Sequence, residues 1–313
     1  MIRRLEEIGG LSALKGPVNL AIGMFDGVHR GHAALISAVT NRAGTPVVLT
    51  FEPHPAEVLG AGTAPRQISS REHKQAILGR LGIECLLSVE FNHQRAAQKA
   101  ADFVREIAGS CQLGCVAVGM GFRFGQGREG DVDLLAGLGD DLGFEVCGIA
   151  PVCDDQGEVI SSTRIRSALK VGDVGLAGEL LGRPYSLVGE VSEGKRIGQS
   201  IGFPTANIPL RGDELLPFGV YAVCVDLNGE HVNGVANLGT RPTITSGNEA
   251  PLLEVHLFDF YRDIYGRDIE VSFKARIRDE RTFEGVESLR AQIGNDVQLA
   301  RELLARPAGD GVA

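Results

Sequence analysis

The chain has 313 residues, with 31 lysines and arginines against 40 aspartates and glutamates, and a formal net charge of -9. This acidic balance argues against a surface for polyanions, so nucleic acid is not an expected partner. No apolar run reaches the length of a membrane span, and the first five residues lack the core of an export signal, so we expect a cytoplasmic enzyme of two domains. The six cysteines lie scattered in apolar runs, which predicts reduced thiols.

The most informative segment is the turn GMFDGVHRGH at residues 23–32. The mostly apolar run from Val18 to Ile22 predicts a buried parallel strand before it, and the spacing of Leu35, Ile36 and Val39 predicts a helix after it. Open α/β sheets bind ligands at the carboxyl ends of their strands, where a helix start offers N–H groups and a positive dipole end. We therefore expect this turn to bind an anion.

Two histidines of the turn, His29 and His32, project from one side of the first helical turn. A histidine pair alone is equally consistent with half of a zinc site or with two surface imidazoles. The neighbouring glycines, which let backbone approach phosphate, and a further histidine after the next strand favour a nucleotide α-phosphate site. The other candidate phosphate-binding residues of the turn are Gly23, Phe25, Asp26, Gly27 and Gly31.

The rest of the first half alternates strands with helices. A capping box at Ser69–Glu72 is predicted to open a helix that runs through Leu81. Further helices are predicted at residues 100–108 and 131–136, and strands at residues 45–51, 84–89, 115–118 and 144–150. This order predicts an α/β fold with a doubly wound parallel sheet.

Three further segments at strand ends carry candidate phosphate ligands. His54 stands between two prolines, and Arg123 stands among glycines at residues 119–125. Ser162 and Thr163 can cap a helix from which Arg166 faces an anion. Each segment also has a plain interpretation, a rigid turn for His54 and an ordinary capped helix with solvated arginines for residues 161–166. The first turn favours the functional interpretation.

The alternation of predicted strands and helices ends near Leu181–Pro184. Short strands separated by turns are predicted at residues 185–191, 220–225, 232–236, 252–258 and 269–277, followed by a helix at residues 283–304. This pattern predicts a small antiparallel β-barrel with a C-terminal helix. We expect a first domain at residues 1–181, a second at residues 182–306 and a tail at residues 307–313.

A glycine-rich loop, GKRIGQSIGFPTAN at residues 194–207, lies between the first two barrel strands. It is a candidate cradle for polyphosphate through Gly194, Lys195, Gly198 and Gly202. Thr205 and Asn207 present two neutral oxygens from one side of an extended segment, which suits a Mg²⁺ that bridges phosphates. Glycine-rich hairpins are common in barrels, so the loop alone decides little.

The strand LEVHL at residues 253–257 alternates apolar and polar side chains. Leu253, Val255 and Leu257 are predicted to be buried, which leaves Glu254 and His256 on the other face. Such a face is ordinarily solvated. If it lines a cleft, Glu254 can accept a proton from a hydroxyl that attacks a γ-phosphate.

These motifs resemble known families. The first turn is similar to that of the HxGH nucleotidylyltransferases, whose histidines stabilise charge on the α-phosphoryl group during in-line attack. Across residues 15–306 the whole ordered set resembles the bacterial bifunctional riboflavin kinase/FMN adenylyltransferase family. The set continues with SST at 161–163, LGRPY at 181–185, GFPTAN at 202–207, GVY at 219–221, RPT at 241–243 and LEVHL at 253–257.

The resemblance implies two reactions: phosphorylation of riboflavin by ATP, then transfer of AMP from ATP to FMN with release of pyrophosphate. It implies Glu254 as kinase base, Thr205 and Asn207 as holders of the magnesium nucleotide, and the three histidines with Arg166 at the adenylyltransferase phosphates. Expected partners are therefore ATP, riboflavin and FMN, with Mg²⁺ as cofactor, no nucleic acid and no membrane. A homo-oligomer stays open.

Two positions depart from the family pattern. Gly121 stands where the family usually has Asp or Asn, and Gln199 stands where an Arg is common. The first departure predicts weaker adenylylation, and the second leaves the kinase loop with one cation fewer. Two alternatives also stay open at this stage: an enzyme with one nucleotidylyltransferase activity, such as a pantetheine-phosphate or cytidylyl enzyme, and a non-catalytic flavin-binding or sensing protein.

Overall fold

A computed structural model of the chain describes residues 2–60, 64–193, 198, 202–210, 215–241 and 250–305. It divides into two compact units, one of residues 1–65 with 69–162 and one of residues 66–68 with 163–313. This division falls between Ser162 and Thr163, whereas the sequence placed the domain boundary after Leu181. The predicted tail at residues 307–313 lies outside the described residues. Among the described helices, none has the length and apolar character needed to cross a membrane.

The first unit is built on a parallel sheet, as the sequence predicted, but the sheet has six strands because a short strand at Arg3–Leu5 joins the five that were predicted. The strands are β1 (Arg3–Leu5), β2 (Val18–Ile22), β3 (Thr45–Glu52), β4 (Cys85–Glu90), β5 (Leu113–Gly119) and β6 (Glu145–Ile149). The helices are α1 (Arg30–Thr40), α2 (Pro55–Val58), α3 (Arg71–Arg80), α4 (His93–Ala96), α5 (Ala100–Ser110) and α6 (Val132–Leu142), with 3-10 turns at Ile8–Ala13 and Gln126–Arg128.

The strand order is β1-β4-β3-β2-β5-β6. From β2 the chain proceeds outward through β3 to β4 on one side, and later through β5 to β6 on the other, so the order reverses between β2 and β5. Doubly wound sheets bind ligands in the crevice at such a reversal. The turn at residues 23–32 leaves the carboxyl end of β2 and therefore lies at this point.

Two apolar clusters sandwich this sheet. On one face α1 buries Leu35, Ile36 and Val39, as predicted from their spacing, together with Phe25 and Val28 of the turn. On the other face α5 and α6 pack against the strands. The apolar residues of the turn after β2 therefore pack into the core and hold the turn against the sheet.

The predicted capping box at Ser69–Glu72 is wrong in register. The helix starts one residue later, with Ser70 as N-cap accepting a hydrogen bond from the His73 amide at 3.1 Å. The hydroxyl of Ser69 is buried without a partner among the described residues. Only Ser69 has the glutamate three residues later that a capping box requires, but either serine is a favourable N-cap residue.

The second unit holds two helices and a barrel. It contains α7 (Ser162–Lys170, apart from its first residue), α8 (Val174–Leu181), β7 (Ser186–Glu190), β8 (Ala206–Pro209), β9 (Gly219–Leu227), β10 (Glu230–Arg241), β11 (Ala250–Leu257), β12 (Asp268–Asp279) and α9 (Val286–Ala305). All strand pairs are antiparallel, in the order β7-β12-β9-β10-β11-β8. A bridge between Ser192 and Asn207 brings the two edges together, so the predicted barrel is nearly closed.

The C-terminal helix α9 covers one side of this barrel. Its Ala300 packs in a cluster with Val220, Ala222 and Val235 of β9 and β10. The buried carboxylate of Asp296 binds Arg278 of β12 with contacts of 2.7 and 3.0 Å. The helix therefore shields part of the outer face of the barrel, the face that also carries the polar side chains of β11.

Candidate active sites

The turn after β2 has a strained backbone. Phe25, Gly27 and Val28 have φ angles of 51°, 77° and 44°, in the left-handed region that β-branched residues such as Val28 rarely adopt. The Thr50 hydroxyl donates to the Met24 carbonyl at 3.2 Å, which ties the turn to the end of β3. Burial of Phe25 and Val28 holds this conformation. Strain of this kind is concentrated at ligand sites.

His29 and His32 cap each other at the start of α1. The His32 amide donates to His29 Nδ1 at 3.3 Å, and the His29 amide donates to His32 Nδ1 at 3.4 Å. The two rings stack with centroids 3.7 Å apart. Because both Nδ1 atoms accept hydrogen bonds, the neutral imidazoles carry their protons on Nε2. Each ring can thus offer an Nε2–H donor to an anion.

Gly31 leaves room for this ring stack. A Cβ atom at that position would lie 3.1 Å from the His29 imidazole. The glycine predicted to admit a phosphate therefore admits the histidine ring itself, and its role as a direct phosphate contact stays a prediction.

Ser162 also reaches the turn. Its hydroxyl donates to the Asp26 carbonyl at 2.9 Å, which connects the first residue of α7 to the turn after β2. Thr163 and Arg166 follow on α7 and belong to the second unit. The Arg166 Nε donates to the Arg66 carbonyl at 2.8 Å, so its guanidinium is oriented by backbone. Phosphate contacts from these three side chains stay predictions.

The loops after β3 and β5 carry the other two predicted ligands. His54 caps the short helix α2, with its Nδ1 accepting from the Ala56 amide at 3.1 Å. Arg123 lies in the loop after β5 and is paired with the Asp131 carboxylate at 3.1 Å. Since β3 and β5 flank β2, these loops and the first turn share one edge of the sheet.

Beside the β3 loop lies a cavity of about 1030 Å³. Its lining includes Pro53, Ser88 and Asn92 from the ends of β3 and β4. The Ser88 hydroxyl is buried and has no hydrogen-bond partner among the described residues. Arg95 on the rim binds Glu106 at 2.6 Å, and this hydrogen bond lowers the pKa of the Glu106 carboxyl.

A buried lysine on α3, Lys74, lies near the turn after β2. The Lys74 side chain is 7% exposed, and its Nζ lies 4.0 Å from the Glu52 carboxylate, which also binds Arg71 at 2.5 Å. Burial lowers the pKa of Lys74, while the negative charges of Glu52 and Asp26 act in the opposite direction. Sequence reasoning missed Lys74, although it lies one helical turn before the core residues Ile77 and Leu78.

In the second unit, the predicted metal ligand and the predicted base face each other. Asn207 on β8 is the register partner of Glu254 on β11. Asn207 is buried and donates through Nδ2 to the Thr205 carbonyl at 3.3 Å. Glu254 is half-buried, and the predicted burial of Leu253, Val255 and Leu257 on the opposite face is confirmed.

His256 ties the PTAN segment to β11. Its Nδ1 lies 2.8 Å from the Pro204 carbonyl, and its ring packs edge-on against Phe203 at 5.4 Å. The sequence predicted an extended segment at this place but missed strand β8 and this contact. Strand β8 and the His256 contact both arise from pairing of residues about fifty positions apart, which a local sequence pattern cannot predict.

Two glycines of the glycine-rich loop, Gly198 and Gly202, lie within the described residues. Gly198 accepts a hydrogen bond from the Phe203 amide at 2.8 Å, and a Cβ there would lie 2.3 Å from the Phe203 carbonyl oxygen. Gly202 has a φ of 91°. The predicted contacts at Gly194 and Lys195, the departure at Gln199, and residues 242–243 of the RPT motif lie outside the described residues. Phosphate binding by this loop stays a prediction.

Comparisons with known proteins cover nearly the whole chain. The family model described as FAD synthetase matches residues 12–164, and the one described as riboflavin kinase matches residues 181–304. The bifunctional riboflavin kinase/FMN adenylyltransferase of Escherichia coli strain K12 is 41% identical over 297 residues, covering 92% of this chain and 94% of the relative. The enzyme of that name from Bacillus subtilis is 39% identical over 289 residues, covering 90% of each chain.

One solved structure resembles this chain along its whole length. It is named a macrolide-efflux protein from Streptococcus pneumoniae, is 32% identical, and covers 95% of this chain and 98% of its own with a TM-score of 0.81. The two units therefore occur together in a known fold.

Proposed function

The chain belongs to the bifunctional riboflavin kinase/FMN adenylyltransferase family, and from this premise we propose how its residues carry out the two reactions. The enzyme phosphorylates riboflavin with ATP to give FMN, and it transfers AMP from ATP to FMN to give FAD and pyrophosphate. Flavin is substrate and product. An enzyme with only the nucleotidylyltransferase activity would leave residues 181–304 without a role, although they match the riboflavin kinase model.

We assign adenylyl transfer to the first unit. The start of α1 and the turn after β2 bind the triphosphate of ATP, because helix N–H groups and the dipole end favour an anion there. The Nε2–H groups of His29 and His32 donate to the α-phosphoryl oxygens as a phosphate oxygen of FMN attacks in line and pyrophosphate leaves. Such preorganised donors stabilise charge that develops in the transition state. His54 and Arg123 bind phosphates from the flanking loops.

The cavity beside the β3 loop is the place we propose for the flavin ring of FMN. It opens at the same sheet edge as the histidines, and its volume of about 1030 Å³ exceeds what a three-ring system needs. FMN seated there has its phosphate free to extend toward the turn.

We assign the kinase reaction to the barrel. Glu254 takes the proton of the ribityl 5′-hydroxyl as that oxygen attacks the γ-phosphorus of ATP, and ADP leaves. The oxygens of Thr205 and Asn207 fit Mg²⁺, which prefers such hard donors. Magnesium, when bound with ATP, neutralises charge on the transferred phosphoryl group. Asn207 would hold the ion, and it is the register partner of the proposed base.

We further propose a cytoplasmic location, since both reactions consume ATP and all six cysteines are free thiols. The domain boundary, the oligomeric state and the expected lack of nucleic-acid binding stay predictions.

The observation that supports this assignment is that the two proposed catalytic sets, His29 with His32 and Glu254 with Asn207, lie in two separately packed units. It predicts separable activities. Glu254→Gln loses riboflavin phosphorylation by about 10²- to 10⁴-fold, the usual loss for a general base, and keeps FMN adenylylation. His29→Asn, which retains a capping acceptor, does the reverse.

Chromatographic separation of riboflavin, FMN and FAD after incubation with ATP and Mg²⁺ measures both reactions in one sample. The controls are Glu287→Gln and His93→Asn, which change exposed side chains of the same types and leave both rates unchanged. Loss of both activities in a folded Glu254→Gln or His29→Asn protein contradicts independent sites.

A further inference from the structure

A buried cation lies at the sheet edge that carries the proposed nucleotide site. Lys74 belongs to α3, and its side chain is 7% exposed. One turn further along this helix, Ile77 and Leu78 pack in the same apolar cluster as Phe25 and Val28 of the turn after β2. The face of α3 that carries Lys74 is therefore turned toward the core near this turn, and not toward solvent.

Two carboxylates accompany this lysine. Glu52 is the last residue of β3, and its Oε1 lies 4.0 Å from Nζ of Lys74, while its Oε2 lies 2.5 Å from Nη2 of Arg71. Asp26, in the turn itself, is the second carboxylate whose negative charge acts on Lys74. Burial disfavours the charged form of Lys74, and the two carboxylates favour it. The ammonium group therefore belongs to a cluster of charges at the carboxyl ends of β2 and β3.

Packing alone does not explain a charge at this position. A buried ammonium group loses its hydration, and an ion pair returns only part of that free energy, so an apolar residue would pack here at lower cost. Glu52 does not depend on Lys74 for a partner, because Arg71 binds its other carboxylate oxygen. The charge of Lys74 therefore has a role other than holding α3 or Glu52 in place.

We propose that Lys74 balances the negative charges of Asp26 and Glu52, so that this edge of the sheet attracts the triphosphate of ATP for adenylyl transfer. Without the ammonium group the local charge is one unit more negative, and like charges repel an approaching polyanion. Because Lys74 is buried, salt screens its charge less than the charge of a surface lysine. Lys74 acts through its field and not by contact, so it affects the binding of ATP more than the chemical step. This inference rests on the proposed binding of ATP at the turn after β2.

Lys74→Met tests the proposal, because methionine keeps an unbranched side chain and removes the charge. At saturating FMN we expect KM for ATP in adenylylation to rise about tenfold, with kcat changed by less than about twofold. Riboflavin phosphorylation by the same preparation stays at the wild-type rate, and urea unfolding stays cooperative. Lys15→Met is the matched control: it removes the same charge from an exposed residue just before β2, at the opposite edge of the sheet, and leaves KM for ATP unchanged.

A substitution at Glu52 separates charge from packing. Glu52→Gln alone removes one negative charge, and we expect it to lower KM for ATP. The double variant Lys74→Met/Glu52→Gln has the same net charge in this cluster as the wild type, so we expect its KM for ATP to return to within about threefold of the wild-type value. A role in packing, or in the ion pair itself, does not predict this recovery, because the double variant lacks the ion pair altogether.

The outcomes distinguish this inference from the assignment on which it rests. If His29→Asn keeps wild-type adenylylation, ATP does not bind at this turn and both fall. If His29→Asn is inactive while Lys74→Met keeps the wild-type KM for ATP, the assignment stands and the role of Lys74 is overturned. A lower kcat with unchanged KM, or a double variant no better than Lys74→Met, also overturns it, because either result indicates a structural role. If Lys74→Met does not fold, Glu52→Gln decides, and an unchanged or higher KM for ATP in that variant overturns the inference.

Discussion

Replacing Gly121 by asparagine tests the departure from the family pattern in the loop after β5. Gly121 lies in a turn in which the Phe122 amide donates to the Gly119 carbonyl at 2.8 Å. Its φ is not in the left-handed region, and a Cβ atom built there meets nothing within 4 Å. A special backbone conformation therefore does not account for this glycine, and an asparagine fits without strain.

The size of the effect follows from one added hydrogen bond. If asparagine restores a contact to the bound nucleotide or FMN, the gain is about 0.5–1.5 kcal/mol, and kcat/KM for adenylylation rises about 2- to 10-fold. A contact from the neighbouring Arg123, whose ion pair with Asp131 at 3.1 Å is exposed, would reduce this gain. Replacing a glycine at a compatible position also stabilises a fold by about 0.4–1 kcal/mol.

The assay is steady-state FAD formation from FMN and ATP, with riboflavin phosphorylation measured in parallel and expected to stay unchanged. Thermal unfolding monitors the fold. Gly137→Asn, at an exposed helical glycine with equally open space, is the matched control and leaves adenylylation unchanged. A stable Gly121→Asn protein with unchanged or reduced kcat/KM would refute the missing-contact explanation.

Two further predictions concern stability. The pKa of Lys74 is lowered on folding because the side chain is buried, so the unfolded chain binds the proton more tightly. Lys74→Met is therefore more stable than wild type at pH 7, and this advantage shrinks as the pH rises toward 10.5. Urea unfolding across that range measures it, and a less stable variant at pH 7 contradicts the reasoning. Helix α8 buries Leu180 and Leu181 and contacts β12. We therefore expect a chain that starts at Thr163 to have a higher melting temperature than one that starts at Gly182. We expect both chains to phosphorylate riboflavin. Equal melting temperatures would show that α8 adds nothing to the barrel.

Local patterns predicted the parts of the fold that local burial decides. The spacing of Leu35, Ile36 and Val39 predicts the buried face of α1, and the alternation at Leu253 and Val255 predicts the buried face of β11. Each of these patterns extends over enough residues to define one periodicity. The order of strands and helices then predicts a parallel sheet followed by a barrel.

Local sequence patterns could not predict contacts between distant segments of the chain. Strand β8 has four residues and owes its existence to pairing with β11 and to the bridge at Ser192. The burial of Lys74 depends on the carboxylate of Glu52, which arrives from another strand. At the candidate site, the sequence predicted that His29 and His32 lie at the start of a helix but not that their Nδ1 atoms accept hydrogen bonds from each other's amides.

That reciprocal engagement makes His29 and His32 a single mutational unit. Removing either imidazole deletes a proposed donor to the nucleotide, withdraws the acceptor from the other residue's amide and takes away the stacking partner of the remaining ring. Residues that act together in this way give strongly non-additive effects. The rate lost in a double variant should scarcely exceed the loss in either single variant, and neither single value can be read as the contribution of one histidine.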